Sequence, residues 1–66
     1  MKLSKQKLEY AMALSCMNAY DVADKAGINY QTVRKALVGN QVKPRTVGQI
    51  AKALNIDPSE IIAKEN

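Results

Sequence analysis

Hydrophobic residues recur at helical spacing in two short stretches in the middle of the chain, and a glycine separates the stretches. The residues that would face inward recur every three to four positions, and they are Val22, Ala23, Ala26, Val33, Ala36 and Leu37. Gly27, between the two stretches, can take the left-handed conformation that a sharp turn requires. Asn29 follows it at a position suited to capping a second helix. The pattern therefore predicts a helix-turn-helix over residues 19–38.

The same spacing predicts three further helices and no strand, so we expect an all-α fold, a compact five-helix bundle. Ser4 is suited to cap a first helix that ends near Ser15, and Pro44 is suited to begin a fourth helix. Asp57 would begin the fifth, with residues 64–66 expected to fray. The side chains that these periods turn inward form the predicted core, which consists of Leu8, Met12, Met17, Val22, Ala23, Ile28, Val33, Leu37, Val47, Ile50, Leu54, Ile56, Ile61 and Ile62.

The outer face of the second helix of the motif carries polar side chains, which are Tyr30, Gln31, Thr32, Arg34 and Lys35. A glutamine such as Gln31 can bond both N6 and N7 of adenine, and a lysine such as Lys35 can donate to O6 and N7 of guanine. The ring of Tyr30 can pack on a thymine methyl or reach a base edge. The alternative to a base contact is that this ring packs on the surface of the domain. We therefore predict a recognition helix over about 30–38 that enters the major groove and contacts bases through Tyr30, Gln31 and Lys35.

The length of 66 residues suits a single domain over 1–66. Charge is distributed unevenly along this chain. The formal net charge is +4, and all six acidic residues lie outside residues 26–56. The basic residues within that range are Arg34, Lys35, Lys43, Arg45 and Lys52. A basic run is usually a solvated face, but a run on and just after a recognition helix indicates a nucleic-acid partner.

Other protein classes find little support in the sequence. There is no histidine, and Cys16 has no second thiol with which to form a disulfide or a zinc site, so we expect no metal and no cofactor. Cys16 is expected to be half-buried at the end of the first helix. No paired carboxylates, serine–base pair or glycine-rich phosphate loop indicates an enzyme. The sequence shows no membrane-spanning run and no signal peptide, which favours a cytoplasmic protein without a membrane partner.

Residues 8–62 resemble the lambda-repressor-like (Cro/C1, XRE-type) DNA-binding domain of phage and bacterial regulators. The segments that carry this resemblance are VADKAGI at 22–28, TV at 32–33, GNQVKPR at 39–45 and IAKALNIDPSEII at 50–62. The helix-turn-helix, YDVADKAGINYQTV at 20–33, is still closer to the amino-terminal headpiece of the Lac repressor family. That family begins its motif almost at the amino terminus, whereas this chain has a predicted helix before it. The first resemblance therefore implies the fold, and the second implies the base contacts.

The two resemblances also imply how the domain touches DNA. The Lac-type headpiece reads bases at the positions of Tyr30, Gln31 and Lys35. At the third position this chain has lysine in place of arginine, and a lysine cannot make the two-pronged contact with guanine that an arginine makes. In the lambda-type family, the loop and the start of the fourth helix follow the phosphate backbone. The predicted DNA-backbone contacts are Asn18, Tyr20, Asn29, Thr32, Arg34, Asn40, Lys43 and Arg45. Asn18 and Asn29 would also cap helices, and solvent is the alternative for Arg34.

Together these features predict a small transcriptional regulator, a repressor of bacterial, phage or mobile-element origin, that binds specific double-stranded DNA. It would need no small-molecule ligand. Because one small domain contacts about half of an operator, we expect a homodimer on a palindromic operator. Without DNA, we expect the dimer to be weak or the protein to be monomeric. The surface around Ile56, Pro58 and Ser59 is the expected dimer contact. The alternative is a protein-interaction module, either antitoxin-like or a regulatory helical bundle, against which the acid-free basic stretch argues.

Overall fold

The computed structural model of the protein describes residues 1–63. Within this range the chain forms four α-helices and one short 3₁₀ helix, and these elements are α1 (Lys5–Leu14), α2 (Ala19–Ala26), α3 (Tyr30–Leu37), α4 (Pro44–Ala53) and η1 (Pro58–Glu60). α2 packs against both α3 and α4, α1 contacts α3, and η1 lies against α4. The all-helical prediction is therefore confirmed for the described part of the chain. The expectation of fraying at 64–66 lies outside the described residues.

Side-chain caps fix where the first three helices begin. The Ser4 hydroxyl accepts a hydrogen bond from the Lys7 amide at 3.3 Å, and Asn18 exchanges two bonds with Asp21 in a capping box. The Asn29 side chain accepts from the amide of Gln31 at 2.8 Å. Each bond satisfies a donor that the first turn of a helix otherwise leaves free, which explains why the predicted starts are correct.

The predicted fifth helix is wrong, because only the single 3₁₀ turn η1 forms. Asp57 and Glu60 cap this turn reciprocally, and the Ile61 amide donates to the Pro58 carbonyl at 3.1 Å. The chain then leaves the helical path and pairs with the amino-terminal segment. Ser4 donates to the Ile61 carbonyl at 2.8 Å, and an isolated antiparallel bridge joins residues 3 and 62. Backbone pairing with a distant segment thus competes successfully with continuation of the helix.

The amino-terminal segment contributes core residues that helical spacing does not predict. The amides of Val42 and Ala63 donate to carbonyls of this segment, and the Met1 nitrogen donates to the Val42 carbonyl at 2.9 Å. These bonds bring Leu3 and Val42 into the core, where they are 3% and 9% exposed. The loop before α4 is therefore tied to the body of the domain.

Most of the predicted core is correct. The predicted residues that are buried are Leu8, Met12, Val22, Ala23, Val33, Val47, Ile50, Leu54 and Ile61. The remaining five only pack against the edge of the core and are partly exposed, and they are Met17, Ile28, Leu37, Ile56 and Ile62. They lie at helix ends or in turns, where fewer neighbouring elements cover them. Cys16 was expected to be half-buried but is exposed, because it lies in the turn after α1, where its φ is 54° and no helix covers it.

Two glycines make a matched test of the turn within the helix-turn-helix. Gly27 has the left-handed φ of 69°, and apart from its two chain neighbours no residue lies within 4 Å of where a Cβ would be placed. Gly48 lies inside α4 with equally open surroundings. Gly27→Ala should therefore destabilise the domain by about 1–2 kcal/mol through backbone strain alone. Gly48→Ala should instead stabilise it by about 0.5–1 kcal/mol. Urea denaturation measures both, and equal effects of the two changes would contradict the turn geometry.

Candidate nucleic-acid interface

α3 divides into a buried face and a polar exposed face. Val33 and Ala36 are completely buried against the core, whereas Gln31, Arg34 and Lys35 are exposed. Gln31 and Lys35 are four residues apart, so they lie one turn apart on the same side of the helix. Thr32 is half-buried, so it offers less of its side chain to a ligand. The exposed face thus presents an amide, a guanidinium and an ammonium group, which are the donors that base edges and phosphates accept.

The orientation of α3 follows from the turn before it. Gly27 ends α2 in the left-handed region, and the Ile28 amide donates to the Ala23 carbonyl at 3.0 Å, which closes the turn. Ala23 is small and buried, so α3 can approach α2 closely at this point. The helix-turn-helix predicted over 19–38 therefore consists of α2, a short turn and α3.

Both predicted asparagine contacts serve as helix caps. The Oδ1 atom of Asn18 accepts from the Asp21 amide at 2.9 Å, and Oδ1 of Asn29 is similarly occupied by the Gln31 amide. Each side chain is exposed, so its amide nitrogen can still donate to an anion while the oxygen caps the helix. Capping is an observed role of these two residues, and contact with DNA stays a prediction.

Tyr20 and Tyr30 form a stacked pair across the helix-turn-helix. Their ring centroids are 4.0 Å apart and the ring planes differ by 4°. Tyr20 is 64% exposed, whereas Tyr30 is half-buried and contacts the hydrophobic core. The Tyr30 phenol raises the pKa of Tyr20, mainly by hydrogen bonding and then by charge repulsion, while the positive charge of Arg34 acts in the opposite direction. The stack therefore holds the two rings together at the first turns of α2 and α3.

The remaining predicted contacts lie on the loop and at the start of α4. Asn40, Lys43 and Arg45 are all exposed. The Asn40 amide donates to the Lys35 carbonyl at 3.0 Å, which fixes the loop against the end of α3. Lys43 occupies the position before α4 without capping it, so its side chain is not committed to the helix. This basic segment therefore follows directly after α3 in the chain and leads into α4.

Residues 1–63 hold neither a metal-binding cluster of His, Cys, Asp and Glu side chains nor a membrane-spanning helix. No three His, Cys, Asp or Glu side chains in this range are grouped so that they could hold a metal ion. Among the helices described, none combines the length and apolar character needed to cross a membrane.

Comparison with known proteins shows the family of this chain. The family model of the Cro/C1-type HTH DNA-binding domain matches residues 7–65. The chain belongs to this family. Membership confirms the lambda-repressor-like resemblance and assigns the domain to DNA binding. No curated protein matched the chain significantly.

The domain is also similar to part of much larger solved structures. A structure of PhpD with cadmium and hydroethylphosphonate is 27% identical over 100% of this chain, with a TM-score of 0.85. A mutant of hydroxyethylphosphonate dioxygenase is 27% identical, with a TM-score of 0.86. In both cases the chain spans only 14% of the other protein's length. The shared part is therefore a small portion of those proteins.

Proposed function

We propose that this protein is a sequence-specific transcriptional regulator that represses by binding an operator through α3. We also propose that residues 1–66 form one domain and that the protein is of bacterial, phage or mobile-element origin. It would act in the cytoplasm without catalysis, cofactor or small-molecule ligand. The observation that carries the proposal is the exposed polar face of α3 in a chain of the Cro/C1-type family. An exposed helix face of amide and cationic groups fits the donor and acceptor pattern of the major groove.

Within this proposal, Gln31 and Lys35 read bases. Both are exposed on the same side of α3, and Gln31 lies in the first turn, the end of the helix that enters the groove in this class of domain. Gln31 would pair with adenine and Lys35 with guanine, where a lysine discriminates less sharply than an arginine. Tyr30, the third predicted base contact, differs from them because it is half-buried and covered by Tyr20.

The proposed backbone contacts include Lys43 and Arg45, and salt dependence tests them. Each phosphate that a side chain neutralises releases condensed counterions, so the slope of log affinity against log salt records the number of contacts. Lys43→Ala and Arg45→Ala should weaken binding to all duplexes alike and flatten the slope by about one unit each. Lys25→Ala, at the end of α2 away from these residues, is the matched control and should leave the slope unchanged. An unaltered slope in Lys43→Ala or Arg45→Ala would contradict the backbone role of that residue.

We further propose that the protein pairs on a palindromic operator and is monomeric in dilute solution. Two copies of α3 would lie about 34 Å apart, one turn of duplex, on one side of the DNA. The expected contact around Ile56, Pro58 and Ser59 has limited apolar area, because the first two are half-buried. Small interfaces of this kind are weak until DNA holds both copies together.

A protein-interaction module remains the second candidate, and one observation favours it. The exposed side chains of Tyr10 and Leu14 on α1 line a hollow together with Ile56. Arg34 and Leu37 of α3 line a different hollow. Apolar side chains grouped on a surface are typical of protein contacts. The two candidates differ in which face binds the partner, and this difference can be measured.

A further inference from the structure

The stacked tyrosines restrict what Tyr30 can contact. Tyr20 covers one face of the Tyr30 ring at 4.0 Å with nearly parallel planes, and the same side chain packs on the core. The covered face of the ring cannot lie flat on a thymine methyl unless Tyr20 is displaced. The hydroxyl is the part of the phenol that gains most from staying in water or in contact with a polar ligand.

Arg34 brings a cationic side chain to the same side of α3 as Tyr30. Arg34 is four residues after Tyr30, so the two side chains leave α3 on the same side, one turn apart. The positive charge of Arg34 also favours a lower pKa of Tyr20, against the larger raising effect of Tyr30. Arg34 also borders a shallow hollow that is lined by Lys5 and Glu9 of α1, so one carboxylate and one ammonium group lie near Arg34 as well. Two neutral donors and a guanidinium match the oxygens of one phosphodiester.

We propose that Tyr20, Tyr30 and Arg34 form a single phosphodiester-binding site, in which stacking by Tyr20 holds the Tyr30 hydroxyl toward the DNA backbone. This inference rests on the proposed function of the domain. It moves Tyr30 from the base contacts to the backbone contacts and leaves sequence reading on α3 to Gln31 and Lys35. Tyr20 acts both as a ligand and as a positioning residue for its partner.

Binding to a panel of duplexes that differ by single base pairs tests the assignment. Tyr30→Phe keeps the ring and removes only the hydroxyl, so it should weaken binding about threefold to tenfold on every duplex. Its base preferences should remain those of the wild-type protein. Tyr10→Phe makes the same change at an exposed tyrosine on α1 and should have no effect. Loss of preference at one base pair in Tyr30→Phe would overturn the proposal and assign Tyr30 to base reading.

A double-mutant comparison tests whether the three residues share one phosphate. Arg34→Gln should weaken binding about tenfold and flatten the salt slope by about one unit. In the double variant with Tyr30→Phe, the loss should be clearly smaller than the product of the two single losses, because both groups bind the same ligand. A loss equal to that product would mean independent contacts and would overturn the single site.

The positioning role of Tyr20 has its own pair of variants. Tyr20→Phe keeps the stack, whereas Tyr20→Leu removes the aromatic ring while keeping an apolar side chain. We expect Tyr20→Leu to bind several-fold more weakly than Tyr20→Phe, and circular dichroism should show that both fold because Tyr20 is largely exposed. Equal binding by the two variants would refute positioning by the stack. A wild-type protein that binds no duplex at low salt would instead refute the proposed function itself.

Discussion

Truncating Ile50 to alanine should leave a large part of the protein unfolded in dilute buffer. Ile50 is completely buried on α4, the helix that contacts both α2 and η1. Loss of a fully buried isoleucine side chain costs about 2–5 kcal/mol, because it combines lost transfer energy with a cavity. The core of a chain this small rarely supplies more than about 3–5 kcal/mol in total. The cost of the substitution is therefore comparable with the whole stability of the domain.

Far-UV circular dichroism with urea denaturation measures this effect. Val38→Ala is the matched control, because Val38 is a branched apolar side chain that is 64% exposed at the end of α3. We expect it to shift the free energy of unfolding by less than about 0.5 kcal/mol. An Ile50→Ala protein with the urea midpoint of the wild type would contradict the packing of α4 into the core.

The second large effect is expected on recognition. Gln31→Ala should reduce affinity for the preferred duplex by about 1–3 kcal/mol and relax preference at one or two base pairs. The physical reason is that an alanine cannot supply the two hydrogen bonds that an amide makes to adenine. Because Gln31 is exposed and only its backbone amide takes part in capping, through Asn29, the fold should be unaffected.

Competition between duplexes separates this loss of reading from a general loss of affinity. Gln6→Ala removes an equivalent exposed amide from α1 and should change neither affinity nor preference. If Gln31→Ala discriminates between duplexes as well as the wild type does, Gln31 does not read bases. That result would contradict the assignment of base reading to the exposed face of α3.

Local signals in the sequence were sufficient for the helix-turn-helix. α2 runs over the predicted residues because Asn18 caps one end and Gly27 ends the other, and both effects depend only on near neighbours. The exposed positions of Gln31 and Lys35 follow from the apolar period of α3 in the same way. Elements whose ends are decided within a few residues can be predicted from their own sequence.

Contacts between distant segments explain what the sequence did not reveal. The turn at Asp57 has the features of a helix start, but pairing of residue 62 with Leu3 ends the helical path after one turn. The stack of Tyr20 on Tyr30 joins residues on two helices, and no spacing rule predicts that their rings meet. Such contacts depend on how elements pack, which a local pattern does not contain.

The most direct test of the account is to map the surface that duplex DNA contacts. Amide signals of the labelled protein would be followed by NMR while a mixed-sequence duplex is added at low salt. We expect the largest changes in α3, at the start of α2 and around Lys43 and Arg45, with little change in the exposed face of α1. Changes centred instead on Tyr10, Leu14 and Ile56, or no change at all, would contradict DNA recognition through α3.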